Sequence, residues 1–81
     1  MKLPRDIGGS ELVKLLLRFG YRQTRQTGSH IRLTSSIRGK EHHLTIPNHS
    51  PIKVGTLNSI ITSIAEYLEI DKQSVINEFF K

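Results

Sequence analysis

The sequence contains no cysteine and no tryptophan, and only two tyrosines and three phenylalanines carry its aromatic rings. Without cysteine neither a disulfide framework nor a thiolate metal site can form, and a reducing compartment suits the chain. Long apolar runs are missing too. None approaches the roughly 18 residues needed to cross a bilayer. The first residues, Met1 to Asp6, lack the apolar stretch of a secretory signal. The expectation is a cytoplasmic protein.

The 81 residues make one domain, residues 1–81. A domain of this size buries only about 60% of the surface of its unfolded chain. Its core must be thin, so any site is expected to be shallow. At 36% hydrophobic and 23% charged residues the chain has the composition of a folded domain and not of a disordered one.

Acidic residues are scarce in the first half. Residues 1–40 hold nine Lys/Arg against two Asp/Glu, whereas residues 41–81 hold three against five. The net charge of +5 is therefore the sum of a strongly basic half and a weakly acidic one. A basic half attracts polyanions, and contacts of that kind dominate affinity for nucleic acid.

Punctuation and periodicity divide the chain. Ser10 is expected to cap a first helix in which Leu12, Val13, Leu16, Leu17 and Phe19 form the apolar stripe, with Gly20 as the left-handed stop. Residues 21–27 read as a polar strand. Strict alternation puts Tyr21, Gln23 and Arg25 on one side and Arg22, Thr24 and Gln26 on the other. Gly28-Ser29 is a turn. In a second strand, residues 30–34, Ile31 and Leu33 face one way and His30 and Arg32 the other. After a polar loop, residues 41–46 form a third strand, with Leu44 and Ile46 opposed to His43 and Thr45. Pro47 to Pro51 is a loop. Thr56 is expected to cap a second helix lined by Leu57, Ile60, Ile61, Ile64 and Leu68, and Asp71 a short third one. The fold class is α+β: a three-stranded antiparallel sheet with helices on one face, in the order α-β-β-β-α-α. The other sheet face stays wet and carries His30, Arg32, His43 and Thr45.

Four histidines stand in this small domain: His30, His42, His43 and His49. Imidazole takes and gives protons near neutrality. With guanidinium groups beside it, such a group can cleave RNA. It removes the 2′-hydroxyl proton, and the cations hold the negative charge that builds up at phosphorus. His30, Arg32 and Arg25 supply these residue types. His42 should point to the core and His43 to the wet face as a candidate RNA contact. His49 is either a second acid/base group or, the favoured reading, holds its loop by a hydrogen bond. The histidines lack metal-ligand spacing, and Ser29 lacks the glycine pattern of a serine nucleophile.

The run Arg25-Gln26-Thr27-Gly28-Ser29-His30 resembles the signature of the HicA toxin family. So do the first helix ending in Gly20-Tyr21, the segment Thr45-Ile46-Pro47-Asn48-His49, and the helix start Gly55-Thr56-Leu57. The resemblance implies a fold like a double-stranded-RNA-binding domain. It also implies metal-independent cleavage of messenger RNA without a cofactor, and neutralisation by a HicB-type antitoxin. His30 takes the place of the family's catalytic histidine. The candidate RNA contacts are Arg25, Gln26, Gly28, Ser29, Arg32 and His43. Two features depart from the family pattern. Ile31 stands where many members carry a second histidine, and the chain continues well past Leu57. A non-catalytic RNA-binding module would use the same basic surface, as would a partner surface for an acidic antitoxin. An antitoxin is expected to cover His30 and Arg32.

Overall fold

A computed structural model describes residues 7–80. The elements run α1 (Gly9–Leu17), β1 (Arg22–Thr27), β2 (His30–Ser35), β3 (His42–Pro47), α2 (Val54–Leu68) and α3 (Lys72–Phe79). The strands form one antiparallel sheet in the order β1-β2-β3. This is the expected α+β order. Leu12 and Leu16 of α1 join Leu57, Ile61 and Ile64 of α2 in a single buried cluster with Ile31, Leu33, Leu44 and Ile46 of the sheet. Among the described residues no helix covers the opposite face, where the alternation of β2 and β3 leaves side chains that are polar except for Pro47.

Two helix starts differ from the sequence expectation and the third agrees in position. The first helix is capped by Gly8, not Ser10. Glu11 reaches back to the Gly8 amide at 3.0 Å, and the Gly9 amide donates to the His49 carbonyl at 2.9 Å. These two bonds start the helix earlier by satisfying its free amides. The second helix is capped by Lys53, whose carbonyl accepts from Leu57, so Thr56 lies inside the first turn. At the third helix Asp71 occupies the cap position, but its carboxylate makes no cap bond there. The first helix ends at Leu17 with Arg18 as its right-handed C-cap, two residues before the expected stop at Gly20; Gly20 does have φ +93, and the amide of Tyr21 closes back on the Leu16 carbonyl.

Strand β1 does not alternate strictly. Arg22 pairs with Thr34 and Gln23 with Leu33, but Arg25 then pairs with Arg32, leaving Thr24 as an extra residue. This bulge turns Arg25 away from the helix side, where strict alternation had put it beside Tyr21, and onto the open face.

Two satellite contacts complete the core. Phe79 of α3 meets Phe19 edge-on at 4.8 Å. His42 lies on the core side, as expected, and is half-buried. Its Nδ1 is 2.7 Å from the Tyr21 hydroxyl and its Nε2 3.0 Å from Ser63 Oγ, and the ring stacks on Tyr67.

Two measurements check this packing. A methyl group on Gly9 would come within 2.5 Å of the Pro47 carbonyl oxygen, a backbone atom with little room to yield. Gly9→Ala should therefore lower stability by about 1–3 kcal/mol in urea titration. An unchanged midpoint would mean that the helix and the loop are not clamped together. The second check concerns His42. Burial, and secondarily His43, hold its pKa below the ordinary 6.5. Below that value the unfolded chain takes up the proton more readily than the folded one. This part of the stability is thus complete above about pH 6.5 and is lost as pH falls through the lower folded-state pKa. A urea midpoint that declines on acidification, with a shallower decline in His42→Gln, is the expected result.

Candidate functional site

The site is built from three rows of side chains that cross the open face. Register places Thr27 beside His30 and His30 beside Pro47 in the first row. The second row is Arg25, Arg32 and Thr45, and the third is Arg22, Thr34 and His43. Thr27, His30, Arg25, Arg32 and Thr45 line a shallow depression of about 190 Å³. A second depression of about 280 Å³ adjoins it, lined by Arg22, Thr24, Arg25, Arg32, Thr34, Glu41 and His43. Neither encloses a small molecule. Both suit a strand laid on the surface.

His30 owes its position to the turn before it. Thr27 pairs with His30 directly, so Gly28 and Ser29 are the whole connection. Gly28 has φ +56 and Ser29 does not share the positive φ, the sign pattern of a type II′ hairpin turn with glycine first. A Cβ on Gly28 would meet nothing within 4 Å, so the backbone there is open to an approaching group. The Ser29 carbonyl accepts from the Asn48 amide at 2.6 Å. This bond ties the turn to the loop after β3, and that loop is tied to the start of α1. The imidazole of His30 projects from this anchored corner into solvent and is exposed.

Arg25 and Arg32 face each other across the strands. Among the described residues no carboxylate pairs with either guanidinium, nor with that of Arg22. Like charges placed directly opposite on a sheet repel each other. Such a pair seeks an anion from outside.

The sequence-derived candidates are thus not all brought together. His30, Arg25 and Arg32 share one depression, with the Gly28-Ser29 backbone at its corner. His43 is on the same face but two rows away from His30, held by Thr34 at 2.9 Å and near Glu41 at 3.6 Å. Gln26 pairs with Ile31 and so lies on the helix side of β1, where its amide oxygen accepts from Gln23 at 3.4 Å. His49 is exposed. Its backbone carbonyl serves the loop, but among the described residues its side chain makes no hydrogen bond of the kind expected. Arg22, Thr24, Thr27, Thr34 and Glu41, which line the two depressions, did not figure among the candidates. Counting back from the Gly28-Ser29 turn identifies Thr27. Arg22 is found only once the bulge is known. Among the described residues no three His, Cys, Asp or Glu side chains gather as metal ligands, and no helix is long and apolar enough to cross a membrane.

A family model described as the HicA toxin of bacterial toxin-antitoxin systems matches residues 9–65, well over half of the chain. The chain belongs to the HicA toxin family. No curated protein and no solved structure matches it significantly. Membership in HicA makes it the toxin component of a toxin-antitoxin pair, and so implies an antitoxin partner. The match takes in α1, all three strands and most of α2, and therefore every residue of the open face. Helix α3 lies beyond it.

The unpaired arginines have a measurable consequence. Replacing Arg25 by Thr removes the cross-strand repulsion while keeping a strand-forming residue. Arg25→Thr is expected to raise stability in low salt by about 0.2–1 kcal/mol, and added salt should erase the gain. A loss of stability instead would show that Arg25 makes favourable contacts within the fold.

Proposed function

We propose that this HicA-family toxin is a metal-independent endoribonuclease that cleaves messenger RNA, with His30 as its general acid/base. The observation that carries the reading is an exposed imidazole beside two guanidinium groups that pair with no carboxylate among the described residues. Charge and chemistry fit a phosphodiester. His30 accepts the proton of the 2′-hydroxyl, and the 2′-oxygen attacks the adjacent phosphorus. The bond from phosphorus to the 5′-oxygen breaks, leaving a 2′,3′-cyclic phosphate and a 5′-hydroxyl. The departing oxygen takes a proton from solvent, to which the shallow site is open, and His30 returns its own to solvent. Arg25 and Arg32 hold the charge that accumulates on the phosphoryl oxygens. The open Gly28-Ser29 backbone allows close approach of the strand.

On this reading the toxin works in the cytoplasm, where its substrate is. A HicB-type antitoxin silences it by covering His30 and Arg32. The net positive charge of the first half suits an acidic partner as well as RNA.

The test is cleavage of a labelled messenger by purified protein with chelator present. His30→Ala should lower the rate by about 10²–10⁴-fold, with the circular dichroism spectrum unchanged. Fragments should end in cyclic phosphate. Undiminished cleavage by His30→Ala removes His30 from the chemistry. A wild type that binds RNA but never cuts it leaves the non-catalytic RNA-binding module as the function.

A further inference from the structure

The open face is ordered along the strands as well as across them. Its three rows follow one another at two-residue steps, about 7 Å apart on a strand. Histidines stand in the outer rows, with the Arg25–Arg32 pair between them. His43 lies opposite Thr34, four residues along β2 from His30. At strand rise this is about 13 Å, too far for one phosphodiester to touch both rings.

The third row is nevertheless built as firmly as the first. Thr34 points to the open face yet is only 3% exposed. Its hydroxyl is 3.0 Å from that of the bulge residue Thr24 and 2.9 Å from His43 Nδ1. This contact fixes the ring and leaves Nε2 outward, 3.6 Å from Glu41 Oε1. In the protonated ring Nδ1–H donates to Thr34, and Nε2–H is presented to an anionic oxygen beside Arg22. Glu41 is the one carboxylate lining this depression, against Arg22, Arg25 and Arg32.

Arg25 and Arg32 line both depressions. The cationic groups therefore form a continuous track parallel to the strands. Crosswise the track is short, since the first row ends in Thr27 and Pro47 and the second in Thr45.

We propose that a single RNA strand lies along β2, with its scissile phosphate at His30 and another phosphate of the same strand held by Arg22 and His43. This rests on the ribonuclease reading above and adds the axis along which the substrate lies and the extent of its footprint. The face is a multi-phosphate site, and a substrate with one phosphate fills only part of it.

The test uses His30→Ala protein, alone and with Arg22→Ala or His43→Ala added. Both added changes are at exposed side chains, so the folded spectrum should persist. Affinity is measured for a dinucleoside monophosphate by NMR titration and for an octanucleotide by fluorescence anisotropy. Each added change should weaken the octanucleotide several-fold more than the dinucleotide. Arg22→Ala should also reduce the salt slope of octanucleotide binding by about 0.7, the share of one phosphate on a single strand. Equal losses at both lengths, or none for the octanucleotide, overturn the track. Wild-type cleavage of the octanucleotide is followed in parallel. Its absence overturns the ribonuclease reading while the length dependence still decides the track. Failure to bind RNA of either length overturns both.

Discussion

Strand β1 has to satisfy two demands that strict alternation cannot meet together. At its start Tyr21 must enter the core, where its hydroxyl meets His42. At its end the Gly28-Ser29 turn pairs Thr27 with His30, which by parity sends Arg25 to the open face. The two counts disagree by one residue, and Thr24 absorbs the difference as a bulge. A one-residue slip reverses every side chain on a strand. Without the bulge, either Tyr21 would leave the core or Arg25 would leave the site. The cationic face depends on this extra residue, and Thr24 also helps to seat Thr34 beneath His43.

A second constraint gathers three parts of the chain around His30. The start of α1, the loop after β3 and the hairpin turn are joined by backbone bonds from Gly9 to His49 and from Asn48 to Ser29. Ile52 adds a further bond to Ile7. In a small domain with a thin core, such bonds hold an exposed residue where burial cannot. They fix the backbone under a side chain that is itself exposed, as the role proposed for His30 requires.

The four histidines show how position sets chemistry. His42 is enclosed by Tyr21, Ser63 and Tyr67 and favours its neutral form. His43 is anchored on the wet face by a hydroxyl. His49 gives its loop a carbonyl, not its ring. His30 shares a depression with two guanidinium groups and, among the described residues, no carboxylate. Residue type is common to all four, and environment divides them.

Much of this was legible before any coordinates. Regular alternation in residues 30–34 and 41–46 settled which side of β2 and β3 is apolar, because both strands mix apolar and polar residues at period two. Most of the helices' hydrophobic stripes followed from the same local rule at period 3.6; Leu17, expected in the first stripe, is exposed, and Phe19 packs from beyond the helix end. The motif around Gly28-Ser29-His30 located the candidate site. Polar strand β1 carried no such signal. With glutamine, threonine and arginine on both sides, its pattern could not reveal the bulge, so strict alternation groups Arg25 with Tyr21 and Gln26 with Arg22, pairs that the bulge separates. Helix starts at Gly8 and Lys53 were also hidden: at the first, a bond from the Gly9 amide to the distant His49 carbonyl draws the start away from Ser10, and at the second the cap is a lysine that makes no side-chain cap bond, so no local hydroxyl marks it. Local periodicity is written in neighbouring residues and can be read there. Register, bulges and cross-strand charge pairs arise between segments far apart in the chain, and only their meeting in space decides them.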